Sequence, residues 1–260
     1  MARITVIIFG PVCILLALAC SVFGQKVEAG QKSDSDSTSF LDRTHDASRI
    51  EEAHYKLFIY NQNKGVPSNL SVLERTISRE NYRTIPSIKI SEINDVSKPR
   101  TKTVLYIDAK SLKPLYFEMS DDDTPLVRAT FDNGKVRIID VSSGTEKVSE
   151  TELPPDAYLS NSFSELVEAN DFGKNPVSIF SVFTPGKAVG RFRVERIGQQ
   201  KFDLPDGHQI DCWVLKFTKT DSQGAETPGG YRFVDKKSGK VIMFKSSLDS
   251  DTFISYQILL

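Results

Sequence analysis

Alternating apolar and polar positions are the clearest pattern in this chain. Residues 126–131 alternate, and residues 135–139 resume the alternation after an Asn133-Gly134 pair. Asn-Gly between two alternating segments is typical of a two-residue hairpin turn, because both positions adopt positive φ readily. The pattern therefore predicts a β-hairpin over residues 126–139.

The same strand-like pattern recurs along the chain, whereas helix signals are few. Ser162 and Glu165 have the spacing of a capping box and predict a short helix to about Asn170, and residues 47–53 are a second possible helix. The predicted fold is mainly β, with a curved antiparallel sheet forming an open half β-barrel with one or two short helices. The other predicted strands are residues 103–107, 115–119, 192–197, 212–218, 231–235, 240–245 and 253–259.

Several predicted strands are apolar on both faces, as in residues 212–215 and 241–244. A strand in a two-layer β domain normally has one apolar and one polar face. Because so little helix is predicted, the sheet is expected to curve. Its interior is then filled either by its own side chains or by a hydrophobic ligand, and both alternatives remain open.

Six large aromatic residues are the candidates for the inner surface. If the interior holds a ligand, these residues would make apolar contacts with it. If the interior is filled, they would pack only against other side chains. The candidates are Phe180, Phe183, Trp213, Phe233, Phe244 and Tyr256.

The N-terminus is predicted to be a targeting segment. Arg3 precedes an apolar run from Ile4 to Leu18, and small residues at Val22 and Gly24 indicate a secretory signal peptide, residues 1–24, cleaved before Gln25. A retained membrane anchor is one alternative. Another is a lipobox ending at Cys20, which would be lipidated and become the first mature residue.

Residues 25–46 are rich in Ser, Asp, Lys and Gln and are expected to be a flexible polar linker. Residues 47–260 are then a single β-rich half-barrel domain. With Cys13 removed and Cys20 removed or acylated, Cys212 has no partner in the chain, and its apolar neighbours indicate a buried thiol.

A resemblance adds to this interpretation. Residues 108–115 and 131–136 resemble paired hairpins of certain secreted bacterial domains of unknown function, and residues 204–213 and 231–242 are similar to later hairpins of that group. Those domains resemble the LolA/LolB half-barrel superfamily. The resemblance implies a curved sheet plugged by short helices, and carriage or sensing of lipid-like molecules in the cell envelope.

Composition and motifs argue against other classes of function. The 260 residues carry 33 Lys and Arg against 34 Asp and Glu, which disfavours a nucleic-acid partner. The sequence lacks the nucleophile elbow, the phosphate-binding loops and the paired-histidine zinc motif. His45, His54 and His208 have no predicted nucleophile beside them, and Asp121 to Asp123 indicate a solvated turn rather than a metal site.

We therefore expect a non-enzymatic extracytoplasmic protein, periplasmic or secreted, without cofactor or metal. It would bind or carry a lipid-like ligand and contact the membrane only through an N-terminal lipid anchor at Cys20. The alternative is a structural or protein-interaction module of the cell envelope with a filled core, which could use an exposed sheet edge for an envelope protein partner.

Overall fold

In the computed structural model, the fifteen strands of the described chain form one sheet with the order β8-β7-β6-β5-β4-β3-β2-β1-β15-β14-β13-β12-β11-β10-β9. The structure describes residues 45–63, 66–94, 99–203, 209–221, 224–245 and 252–258. The strands are β1 (Ala53–Asn63), β2 (Val66–Tyr82), β3 (Ile85–Asn94), β4 (Thr101–Asp108), β5 (Pro114–Asp121), β6 (Thr124–Asp132), β7 (Lys135–Asp140), β8 (Lys147–Glu152), β9 (Ala157–Leu159), β10 (Val177–Phe183), β11 (Gly190–Asp203), β12 (Gln209–Thr220), β13 (Glu226–Asp235), β14 (Val241–Lys245) and β15 (Thr252–Ile258).

Two antiparallel meanders, β1 to β8 and β10 to β15, make up nearly the whole sheet. They are joined by the antiparallel pairing of β1 with β15, in which Leu57 lies opposite Ile258. Strand β9 pairs with β10 in parallel. Parallel neighbours need a crossover connection, and here the crossover contains the helix α1 (Phe163–Glu168).

The sheet is strongly curled. Phe131 of β6 and Phe183 of β10 belong to the third and fourteenth strands in the sheet order, yet their ring centroids are 6.3 Å apart. Eleven steps at the usual strand spacing would separate them by about 50 Å in a flat sheet. Lys113, in the β4–β5 turn, also reaches across, donating to the carbonyl oxygen of Ala157 at 3.3 Å. The predicted half-barrel is confirmed.

The strongest predicted hairpin is confirmed in detail. Asn133 and Gly134 connect β6 to β7 with φ of 49° and 77°, so the Asn-Gly pair supplies the two positive φ angles of a tight turn. Asp122 and Asp123 also have positive φ, and the Asp122 carboxylate accepts a hydrogen bond from the Arg100 backbone at 3.0 Å. They form a turn, as predicted.

Helix is scarcer still than the sequence indicated. Of the second possible helix, only a 3-10 turn at Ala47–Arg49 forms, because the Asp46 carboxylate accepts from the Ser48 backbone and β1 begins at Ala53. A second 3-10 turn, Ser160–Ser162, leads into α1. The capping-box prediction is wrong: the Ser162 hydroxyl donates to the Leu159 carbonyl oxygen, and Ser162 makes no side-chain cap.

The sheet is buried on both faces in its second half. On β12, Cys212 and Val214 point to one side and Leu215 and Phe217 to the other, and all four are buried. This confirms the double-faced apolar character predicted for residues 212–215. We call the side that contacts α1 the helix-facing side and the opposite one the outer side.

Candidate functional site

Helix α1 occupies the helix-facing side of the curled sheet. Phe163, Leu166 and Val167 form one apolar stripe at i, i+3 and i+4, and all three are buried. The helix has only six residues. An isolated helix of this length is not stable in water, so α1 is held in place by its side-chain contacts with the sheet.

A buried ion cluster provides the polar part of those contacts. Arg75 of β2 donates from its two terminal guanidinium nitrogens to Glu92 of β3 and to Glu165 of α1. The three side chains are only 6%, 7% and 1% exposed. Burial alone would lower the pKa of Arg75, but the two carboxylates raise it well above its usual range. The guanidinium therefore stays charged.

The cluster includes two polar atoms without a hydrogen-bond partner among the described residues. They are Nε of Arg75 and Oε2 of Glu165. Unpaired polar atoms of this kind are uncommon in protein interiors because burying them is costly. Within the described residues, this cluster is therefore the place where buried side-chain polar atoms are left without a hydrogen-bond partner.

A second carboxyl group of α1 lies beside the cluster. Burial and the nearby Glu165 raise the pKa of Glu168 to about 8. Its Oε1 accepts a hydrogen bond from the Val241 backbone at 3.2 Å, which joins the end of the helix to β14. Burial also raises the pKa of Tyr55 on β1 above its usual value. Through Glu165, which contacts β2, and Glu168, which contacts β14, helix α1 is thus connected to both meanders.

An aromatic cluster surrounds the apolar stripe of the helix. The ring of Phe163 lies 5.2 Å from Phe192, 5.3 Å from Phe217 and 5.7 Å from Phe180. The Arg232 guanidinium lies 5.0 Å from the centre of the Phe163 ring. Tilted and edge-on ring contacts at such distances are favourable beyond simple burial, so this aromatic interior is closely packed.

Two of the six predicted lining residues, Phe180 and Phe244, belong to the helix-facing side. Phe180 contacts Phe163 directly, and Phe244 lies opposite Arg232 in register, 5.3 Å from its guanidinium. Tyr256 is in register with Phe244, and its side chain lies outside the described residues.

Phe233 has a different position. It lies opposite Val214 and belongs to a buried cluster with Cys212 and Ile242. Because its neighbour Arg232 reaches the helix, Phe233 points to the outer side. The sequence could not separate the two sides, because Phe233 and Val234 are adjacent apolar residues that point to opposite faces. Both are buried.

Phe183 and Trp213 lie at the margins of the interior. Phe183 is buried against Phe131, where the two meanders approach each other. Trp213 is half-buried, with the charged groups of Arg196 and Lys236 at 4.6 and 4.4 Å from its ring. The five candidates whose side chains the structure describes therefore lie on both sides of the sheet and at its margins.

The residues that sequence reasoning missed are the charged ones. Arg75, Glu92 and Glu165 are charged residues and were therefore not among the candidates for the interior. Ile77 and Ile90, in the same strands, share the face of Arg75 and Glu92 and are buried. Reading that alternation would have placed both charges in the interior.

The histidines show no catalytic arrangement among the described residues. His54 is exposed and its Nε2 lies 2.7 Å from Glu74 Oε1. His45 was expected in the linker, but it packs on the domain, with its ring stacked 5.9 Å from Phe180 and Nδ1 3.2 Å from the Asn170 amide. His208 lies outside the described residues.

Other candidate chemistry is limited in the described ranges. They hold no group of three or more His, Cys, Asp or Glu side chains that could bind a metal ion. Cys212 is a free, buried thiol, as predicted, and burial raises its pKa to about 12. The predicted signal peptide, Cys20 and residues 25–44 of the predicted linker lie outside the described residues. None of the helices described has the length and apolar composition to cross a bilayer.

The fold and interior define a mainly β half-barrel plugged by one short helix. The sequence pattern of the family DUF3108, a protein family of unknown function, matches residues 53–251, and the chain belongs to this family. No curated protein is significantly similar to the chain. A solved structure, a beta-barrel-like protein of the domain of unknown function DUF1849 from Brucella abortus, aligns with 79% of this chain and 96% of its own, at 12% identity and a TM-score of 0.45.

Proposed function

We propose that this protein is a non-enzymatic extracytoplasmic protein that binds or carries a lipid-like hydrophobic ligand inside its half-barrel. The observation that carries the proposal is that a large aromatic interior is covered by a helix of only six residues. The helix is held by side chains rather than by its own backbone stability. Moving it would open the aromatic interior to a ligand.

An acyl chain could replace the hydrophobic contribution of the helix stripe. Phe163, Leu166 and Val167 are the apolar groups that a chain would replace in the interior. Each methylene that a ligand buries contributes about 0.8 kcal/mol. A chain of ordinary length thereby offsets the loss of a stripe of three side chains.

The proposed location follows from the N-terminal sequence. A signal peptide ending at residue 24, or a lipid anchor at Cys20, would place the protein outside the cytoplasm. The resemblance to LolA/LolB half-barrels supports the same setting. Mass spectrometry of the mature N-terminus tests this part: a chain that starts at Met1 would contradict it.

The ligand is tested by native mass spectrometry of the purified protein and by titration with a fluorescent fatty acid. Phe180 and Ile179 are a matched pair, because they are neighbours on β10 that point to opposite faces, one fully buried and the other 38% exposed. We expect Phe180→Leu to change the affinity for the probe and Ile179→Ala to leave it unaltered. A protein that carries no lipid and does not bind the probe would refute the proposal.

A second candidate is a structural or protein-interaction module with a filled core. The complete burial of Phe180 and Phe233 favours it. Its partner would add a strand at β8, the end of the sheet order, where all six residues are exposed. This candidate predicts an unchanged melting temperature in the presence of fatty acid, and loss of the partner when Ser149 is replaced by Pro.

A further inference from the structure

The outer side of the first meander has an open cavity of about 310 Å³. It lies across strands β2, β3 and β4, on the face opposite the buried Ile77, Ile90 and Leu105. The structure therefore separates it from the half-barrel interior by the thickness of the sheet, and its residues are accessible without any movement of α1.

The floor of the cavity offers hydroxyl groups in a fixed arrangement. Thr76 lies opposite Ser91, and Ser78 lies opposite Lys89 in the same strand pair. Each hydroxyl can both donate and accept a hydrogen bond. Three of them on rigid strands are suited to a ligand that itself carries several hydroxyl groups.

An aromatic platform of tyrosines borders the cavity. The ring of Tyr106, which lines it, is 5.0 Å from Tyr82 and 6.3 Å from Tyr116, and Tyr82 and Tyr116 are 5.5 Å apart. All three are only half-buried. The C–H faces of sugar rings stack on aromatic rings that are partly accessible to solvent, whereas simple anions do not.

Two lysines line the cavity, one of them paired with a carboxylate. Lys89 lies 5.5 Å from the centre of the Tyr106 ring and is paired with Glu80 at 3.0 Å. Lys102 also lines the cavity. Tyr106 and Lys102 are four residues apart on one strand, about 13 Å at the usual rise. The site is thus long enough for a short oligosaccharide, with the aromatic ring at one end and a cation at the other.

We propose that this outer cavity binds an acidic oligosaccharide. A sugar ring stacks on Tyr106, the hydroxyls of Thr76, Ser78 and Ser91 hydrogen-bond to the sugar, and Lys102 pairs with its acidic group. This inference is independent of the proposed lipid binding, because it uses the opposite face of the sheet.

Isothermal titration calorimetry with three probes tests the proposal: oligogalacturonate, which is an acidic sugar, maltotetraose, which is a neutral one, and oligoglutamate, which is acidic but not a sugar. We expect saturable binding of oligogalacturonate and weaker binding of the other two. Lys102→Ala and Tyr106→Leu should each weaken the binding of oligogalacturonate about tenfold. Lys216→Ala, at an exposed lysine of β12, is the matched control and should have no effect.

The other results would overturn the proposal. Equal binding of oligoglutamate would indicate a general docking surface for acidic polymers, and equal binding of maltotetraose would remove the role of charge. No binding of oligogalacturonate, or binding that Lys102→Ala and Tyr106→Leu leave unchanged, would also refute it. The melting temperature of each variant confirms that it is folded.

Discussion

Arg75 on strand β2 and Glu165 on helix α1 form a buried ion pair between residues 90 positions apart in the chain. The pair joins the crossover helix to the first meander, while Glu168 of the same helix contacts β14 of the second. One short helix therefore connects both halves of the curled sheet. These polar contacts hold the helix together with its apolar stripe, which packs on the aromatic cluster.

Replacing Arg75 by Met should be strongly destabilising. It leaves Glu92 and Glu165 buried without their cation, and breaking a buried ion pair in this way costs about 3–5 kcal/mol. Arg128→Met is the matched control, because Arg128 pairs with Glu118 but is 49% exposed, and an exposed pair contributes about 0–1 kcal/mol. Urea unfolding measures both. Equal losses in the free energy of unfolding for Arg75→Met and Arg128→Met would contradict the role assigned to the buried ion cluster.

Glu168 should make stability depend on pH. Its pKa is raised from 4.5 to about 8 in the folded chain, so the folded protein holds a proton that the unfolded chain releases. The contribution of Glu168 to the free energy of unfolding therefore falls as pH rises from about 4.5 to about 8, and is constant above that.

The variant Glu168→Gln stays neutral and keeps an oxygen for the Val241 backbone. We expect it to melt at a higher temperature than the parent at pH 8 and at a similar temperature near pH 4.5. Glu150→Gln on β8, whose side chain is 59% exposed, should leave the pH profile of melting unchanged. A parallel shift of both variants would argue against a protonated Glu168.

Two glycines with positive φ should differ in their tolerance of alanine. Gly144 has φ of 78° with open space around it, whereas a Cβ on Gly230, at φ of 94°, would lie 2.5 Å from the Lys245 carbonyl oxygen. Gly144→Ala should cost only the left-handed strain, about 1–2 kcal/mol. Gly230→Ala should cost more, since β14 must also shift. Chemical denaturation measures the free energy of unfolding of the two variants. A smaller loss of stability for Gly230→Ala than for Gly144→Ala would be inconsistent with the β13–β14 register.

Cys212 should be unreactive in the folded protein. Burial raises its pKa to about 12, and the thiolate is the reactive form of cysteine. At pH 8, a thiol reagent such as DTNB should modify one thiol fewer in the folded protein than in the urea-unfolded protein. Cys212→Ser should abolish that difference; fast labelling of folded Cys212 would show an exposed thiol instead.

Much of the fold was predictable from local patterns. Local patterns identified nine of the fifteen strands, β4 to β7 and β11 to β15, and Asn133-Gly134 located a tight turn, because these signals depend on neighbouring residues only. The scarcity of helix predicted a curled sheet. Phe163, Leu166 and Val167, spaced at i, i+3 and i+4, are likewise a local pattern that marks the apolar face of α1.

Tertiary structure alone decided the candidate site. Ser162 and Glu165 have the spacing of a capping box, yet Glu165 pairs with Arg75, because a buried cation attracts a carboxylate more strongly than a backbone amide does. Phe180 and Phe233 are the same residue type but lie on opposite faces. The pairings of β11 to β14 contain register shifts, and each shift changes which residues of a strand point to a given side. Alternation along a strand defines two faces, and only the curl of the whole sheet determines which of them becomes the interior.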